Sequence, residues 1–290
     1  MIRPSRLRIS RLRALTGATV LTVGVIAIIP AVSQAAVVSV PCSETALVGA
    51  INTANASPGS DTLNLAAGCT YQLTSSHGGG GNGLPVITST IALVGTPNII
   101  TRSSVALFRI AEVSSTGNLT LTRVTLNNGS VLGSGGGVLN RGAVTFTSAG
   151  SGLTNNTASL GTGGGLSNVD TPNGTAPAAT FTGATVSGNT ASGMGGGIYN
   201  GNNDALTMTS SVVTTNTSLL ARGGGIAANA STTSLTSTPV SVNHADALLL
   251  GGAGGVLRLG GTMTTNTSPI SANTPNNCVG SSPAVPNCTG

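Results

Sequence analysis

The sequence predicts an all-β fold, a parallel β-helix (solenoid) with a short N-terminal capping helix, on three observations. Gly triplets followed by an aliphatic residue recur from Gly135, Gly163, Gly195 and Gly223, at intervals of 28, 32 and 28 residues. Three other columns share an interval of 27: Phe181, Met208 and Leu235; Val186, Val213 and Val240; Asn189, Asn216 and Asn243. The first of these columns is flanked by hydroxyls, as in Thr180-Phe181-Thr182 and Thr207-Met208-Thr209, which is the alternation of a strand with one side chain in and two out. β-Branched Thr and Val fill the strand positions and no sustained 3.6-residue period competes. A repeat of about 27 residues suits three short strands and three turns, each coil stacking about 4.8 Å from the last over an aliphatic core.

Residues 1–35 read as an export leader. Arg3, Arg6, Arg8, Arg11 and Arg13 form a basic start, Leu15 to Val32 is an apolar run without charge, and Ser33-Gln34-Ala35 ends it in small residues, predicting cleavage after Ala35. The 290-residue chain has a formal charge of +5, and with those five arginines removed its remaining Arg equal its 6 acids. A neutral mature chain excludes nucleic acid, whose recognition needs a dense basic face. No second apolar run of spanning length follows, so the expected product is secreted, extracellular and without a membrane span.

Cysteines occur only after the leader, as Cys42, Cys69, Cys278 and Cys288. Four cysteines allow three pairings, and nearness in sequence favours Cys42–Cys69 and Cys278–Cys288, one staple at each end. Their spacing, without paired His, does not suit zinc. Ser43 is placed to N-cap a helix carrying Ala46, Leu47, Ala50, Ile51 and Ala54 on one face, a plug for the open solenoid end. The expected organisation is a leader (1–35), a cap and lead-in (36–83), β-helix repeats (84–275) and a disulfide-stapled tail (276–290).

Within the repeat, Asn at one turn position would stack amides into a ladder and tolerate a left-handed backbone. The Gly triplets would supply positive φ and close backbone approach. A strand rather than a helix follows each triplet, so phosphate binding is not expected.

The Gly-Gly-Gly-aliphatic repeats, together with Val186-Ser187-Gly188-Asn189, Val213-Thr214-Thr215-Asn216 and Ile270-Ser271-Ala272-Asn273, resemble polymorphic outer-membrane-protein repeats. The lead-in from Cys42 to Leu65, followed by Cys69-Thr70-Tyr71, is similar to that of many secreted β-helix proteins. The resemblance implies a right-handed parallel β-helix of the pectin-lyase-like type. Lyases of that fold hold calcium on clustered acids beside an Arg or Lys base, and its hydrolases use two or three close carboxylates.

The acids after the leader are Glu44, Asp61, Glu112, Asp170, Asp204 and Asp246, no two within ten residues. Asp170 and Asp204 both fall in the turn after a Gly-rich strand, so neighbouring coils could bring them together. They are the weak catalytic candidates, with solvated turn carboxylates as the alternative. His77, in a Gly-rich loop, and His244 are expected at the surface, and Arg102, Arg109 and Arg123 with Glu112 suggest a surface ion pair. No cofactor or metal is implied. The stretch Val169 to Ala178 lengthens one coil, as a binding insertion or a tolerated one.

The most regular surface feature is hydroxyl. Thr120 and Thr122, Thr145 and Thr147, Thr180 and Thr182, Thr207 and Thr209, Ser234 and Thr236, and Thr262 and Thr264 each flank an apolar residue, giving two files on six coils. The leading expectation is a non-catalytic interaction module touching an extracellular polysaccharide or cell-surface component. A pectin-lyase-like lyase or hydrolase is the second, and an ice- or crystal-surface binder the third. The intervals of 25 to 35 residues between triplets count against a regular lattice.

Overall fold

A computed structural model of the chain describes residues 35–79, 81–170, 176–246 and 252–290. The leader, apart from Ala35, lies outside the described residues. The described chain is a parallel β-solenoid of about 8 turns with one short helix near its start.

Each full coil carries four strands, not the three that the repeat length suggested. In one coil they are Leu166–Asn168, Ala178–Thr182, Thr185–Ser187 and Thr190–Ala191. A left-handed residue precedes each Asn of the 27-residue column: Gly188 (φ 64°), Thr215 (φ 55°) and Val242 (φ 58°). The expectation that the Asn itself turns left-handed is thereby corrected. Its side chain is fully occupied inside, so the neighbour takes the bend.

Those asparagines form the expected ladder. Nδ2 of Asn156, Asn189, Asn216 and Asn243 donates to Oδ1 of the next Asn, at 3.0, 2.9, 2.9 and 3.0 Å, ending on Asn273. All five are buried, so each amide hydrogen bond is made in a low-dielectric interior where leaving it unmade would cost about 1–3 kcal/mol. A second ladder joins Asn140 to Asn168 at 2.7 Å and Asn168 to Asn200 at 2.8 Å, on another wall of the core.

Inward side chains stack in columns. One runs Leu121, Phe146, Phe181, Met208, Leu235 and Thr265. The rings of Phe146 and Phe181 stack at 4.8 Å, nearly coplanar in orientation, because register imposes the coil spacing on them. Another column runs Leu126, Leu153, Val186, Val213, Val240 and Ile270. The Gly triplets close the coil by backbone-on-backbone contact. Gly163 takes φ 65°, and a Cβ on Gly164 would lie 2.4 Å from the carbonyl oxygens of Thr190 and Gly196, so only hydrogen fits.

Both ends are closed. The helix Glu44–Ala56 starts at Ser43, whose hydroxyl accepts from the Ala46 N–H at 3.2 Å, and buries Leu47, Ile51 and Ala54 on the first coils. Cys42 pairs with Cys69 and Cys278 with Cys288, the pairing that nearness favours. Among the described residues no helix is long and apolar enough to cross a membrane.

Candidate functional site: a hydroxyl face and a buried carboxyl pair

The first wall of the solenoid is built by Asn118–Asn127, Ala143–Thr147, Ala178–Thr182, Ala205–Thr209, Thr232–Thr236 and Thr262–Asn266. Pairing places Thr120, Thr145, Thr180, Thr207, Ser234 and Thr264 in one outward file, and Thr122, Thr147, Thr182, Thr209, Thr236 and Asn266 in the next. Five of the six triplets lie in the register read from sequence. The sixth is shifted by two residues: Thr262 faces Thr232, not Ser234, and belongs to a third file with Asn118, Ala143, Ala178 and Ala205. The shift follows from packing. Met263 fills the place beside Thr233, and Thr265 the place beside Leu235, so each small inward residue meets a larger one.

Strand pairing runs residue for residue through all six strands, although the triplets are 25 to 35 residues apart. The variation is taken up elsewhere, chiefly at residues 169–178, of which 171–175 lie outside the described residues. Unequal coils therefore do not break the lattice of this face. No charged residue stands in its three files. Adjacent files lie about 6.7 Å apart along the strand and successive coils about 4.8 Å apart. Some hydroxyls bond along a file: Thr122 with Thr147 at 3.1 Å, and Thr264 donating to Ser234 at 3.1 Å.

Sequence reading missed that hydroxyls also line the second wall, as Thr154, Ser187, Thr214, Ser241 and Ser271, a file that starts at the amide of Asn127. The signal was present in the Val-x-x-Asn motif, whose first variable residue is a hydroxyl in each copy of the column. That file is one residue wide, since its strands hold two or three residues.

The structure brings Asp170 and Asp204 within electrostatic reach. Asp204 is fully buried rather than solvated, and among the described residues neither of its carboxyl oxygens has a hydrogen-bond partner. Burial pushes its pKa up to about 7, the Asp170 charge adds to the rise, and the nearby backbone N–H of Gly201, which donates to the Asn168 carbonyl, opposes both. Asp170 is half-buried, with Oδ1 also unpartnered. Ser231, which precedes Thr232 as Asp204 precedes Ala205, also carries a buried oxygen without a partner among the described residues. A carboxyl held protonated near neutrality is suited to proton donation. This one is shut away from solvent.

The other charged groups are engaged. Arg109 is buried, which corrects the surface pair expected there. Its NH1 donates to Asn82 Oδ1 at 2.5 Å and lies 3.5 Å from Glu112, while Arg141, not Arg102 or Arg123, contacts the other Glu112 oxygen at 3.4 Å. Burial lowers the pKa of Arg109, Glu112 raises it and Arg141 lowers it. Arg102 lies over the Phe108 ring at 6.0 Å, and Arg123 is exposed. His77 is fixed to Glu44 at 2.7 Å; burial raises the Glu44 pKa, but hydrogen bonds from Thr74, His77 and Ser75 outweigh it and hold the carboxylate low. His244 contacts Asp246 at 2.5 Å. Among the described residues no three His, Cys, Asp or Glu side chains converge as a metal site would need. Compared with protein-family models, curated proteins and solved structures, the chain matches none.

Proposed function

We propose that the protein is a secreted, non-catalytic β-helix that serves as a cell-surface or extracellular interaction module and lays its first wall against an extended polysaccharide. On this reading it belongs with the pectin-lyase-like β-helices that carry polymorphic outer-membrane-protein-type repeats, as its Gly-Gly-Gly-aliphatic and Val-x-x-Asn motifs suggest. One observation carries the proposal: uncharged hydroxyl files held in register across coils of unequal length. Such files offer donors and acceptors at a fixed repeat, which suits a polymer that presents its own hydroxyls periodically. Burial of Asp204 and the ion pairs that engage Glu44, Glu112 and Asp246 speak for binding over hydrolysis.

Glycan-array binding by the mature protein tests this. Wild type binds at least one extended glycan, Thr182→Tyr and Thr209→Tyr weaken it tenfold or more, and no reducing ends or unsaturated products appear. Product release abolished by Asp204→Asn would establish the hydrolase or lyase reading instead. The same register favours a second reading, an ice or crystal surface as ligand. Thermal hysteresis lost in the two Tyr variants, without glycan binding, would select it.

A further inference from the structure

Asp61 is a buried carboxylate, 2% exposed, outside the features discussed so far. Its Oδ1 accepts the backbone N–H of Ala36 at 2.9 Å, and its Oδ2 is buried with no partner among the described residues. Ala36 is anchored on its other side as well, its carbonyl accepting from the Thr62 N–H at 2.7 Å, and the strand Val37–Val40 then pairs with Thr62 to Leu65. Beside the carboxyl lies a cavity of about 90 Å³ lined by Ala36, Val38, Thr53, Ala54 and Ser57 among others. A neutral N–H is a poor sole partner for a buried charge. Ala36 is the residue that sequence places directly after the expected cleavage point, and Ala35 and Ala36 are both exposed.

We propose that Asp61 is the seat of the mature N-terminus. Water, acting through a peptidase of the export pathway, breaks the Ala35–Ala36 C–N bond. Ala35 leaves as a carboxylate, and the Ala36 nitrogen takes up protons to become an ammonium. That ammonium keeps its bond to Oδ1, has further protons to offer Oδ2, and supplies the charge that Asp61 lacks before cleavage. Removal of the leader thus completes the first coil, and processing is coupled to locking of the N-terminal strand. The inference rests on the export reading and is independent of what the hydroxyl face binds.

The chain contains no lysine, so after cleavage the α-amine is its single primary amine and acylation reports on it alone. Intact mass should place the start of the exported protein at Ala36. At pH 7 the folded wild type should acylate about tenfold slower than the same protein in urea, as a rise of one pKa unit requires. Asp61→Asn, which keeps an acceptor and removes the charge, should restore the fast rate. Should that variant fail to fold, a chain beginning at Ala35 moves the amine off the carboxylate and should also label fast. A start at any other residue, equal rates in folded and unfolded wild type, or slow labelling in either altered chain would overturn the proposal.

Discussion

Thr265 donates its hydroxyl to the Pro286 carbonyl at 2.6 Å and so ties the last strand of the first wall to the C-terminal tail. Asn287 Nδ2 reaches the same hydroxyl at 3.3 Å and the Thr265 carbonyl at 3.0 Å. The tail, closed by Cys278–Cys288, covers the open end where the aliphatic column stops. Thr265→Val keeps the shape and removes the bond, leaving a carbonyl unmet. It should cost about 1 kcal/mol. Hydrogen exchange should show the loss confined to Thr262–Asn266 and the tail, with the middle coils unchanged.

Asp204 gives the fold a pH dependence of definite sign. Unfolded, it ionises near its ordinary value of 3.8; folded, it stays protonated to about 7. Between those values the folded chain binds the extra proton, so this group's contribution is fully present at low pH and is lost as pH rises through about 7. Asp204→Asn is neutral throughout. It should melt within a degree or so of wild type at pH 4 and about 4 °C or more above it at pH 8. Equal melting points at both pH values would remove the buried carboxyl from the argument.

The amide ladder should be worth more than any surface hydroxyl. Asn216→Leu, of similar volume, takes the acceptor from the Asn189 N–H and the donor from the Val186 carbonyl, both buried. The expected loss is about 3 kcal/mol, read by urea unfolding. Thr217→Val, one residue on and outward, should change stability by no more than about 0.5 kcal/mol.

Much of this was legible in the sequence because a solenoid repeats its constraints. The Phe181, Val186 and Asn189 columns each recur at one interval, and each is in register in the structure. The cap helix and the disulfides followed from local rules. The second ladder is equally visible in the sequence, as Asn140, Asn168 and Asn200 each end a Gly-Gly-Gly-x-x-Asn run. The shift at Thr262 was not legible, because Thr-Met-Thr imitates the hydroxyl-apolar-hydroxyl pattern and only packing beside Thr233 and Leu235 decides between the two alignments. Burial of Asp204 was hidden too, since a turn acid has no sequence mark that tells inward from outward.

Each buried Asn of the longer ladder, from Asn156 onward, reaches forward with its backbone N–H and one Nδ2 hydrogen, to an oxygen on the coil that follows, and back with the other Nδ2 hydrogen to a carbonyl of the preceding coil. Asn273 continues the pattern by reaching Asn277, a residue of the tail. For a chain synthesised from its N-terminus, the order of arrival matters. Each finished coil holds unmet forward donors until its successor appears, and the last of them are met only when Asn277 arrives. The tail thus acts as a clasp on a zipper that closes from its far end.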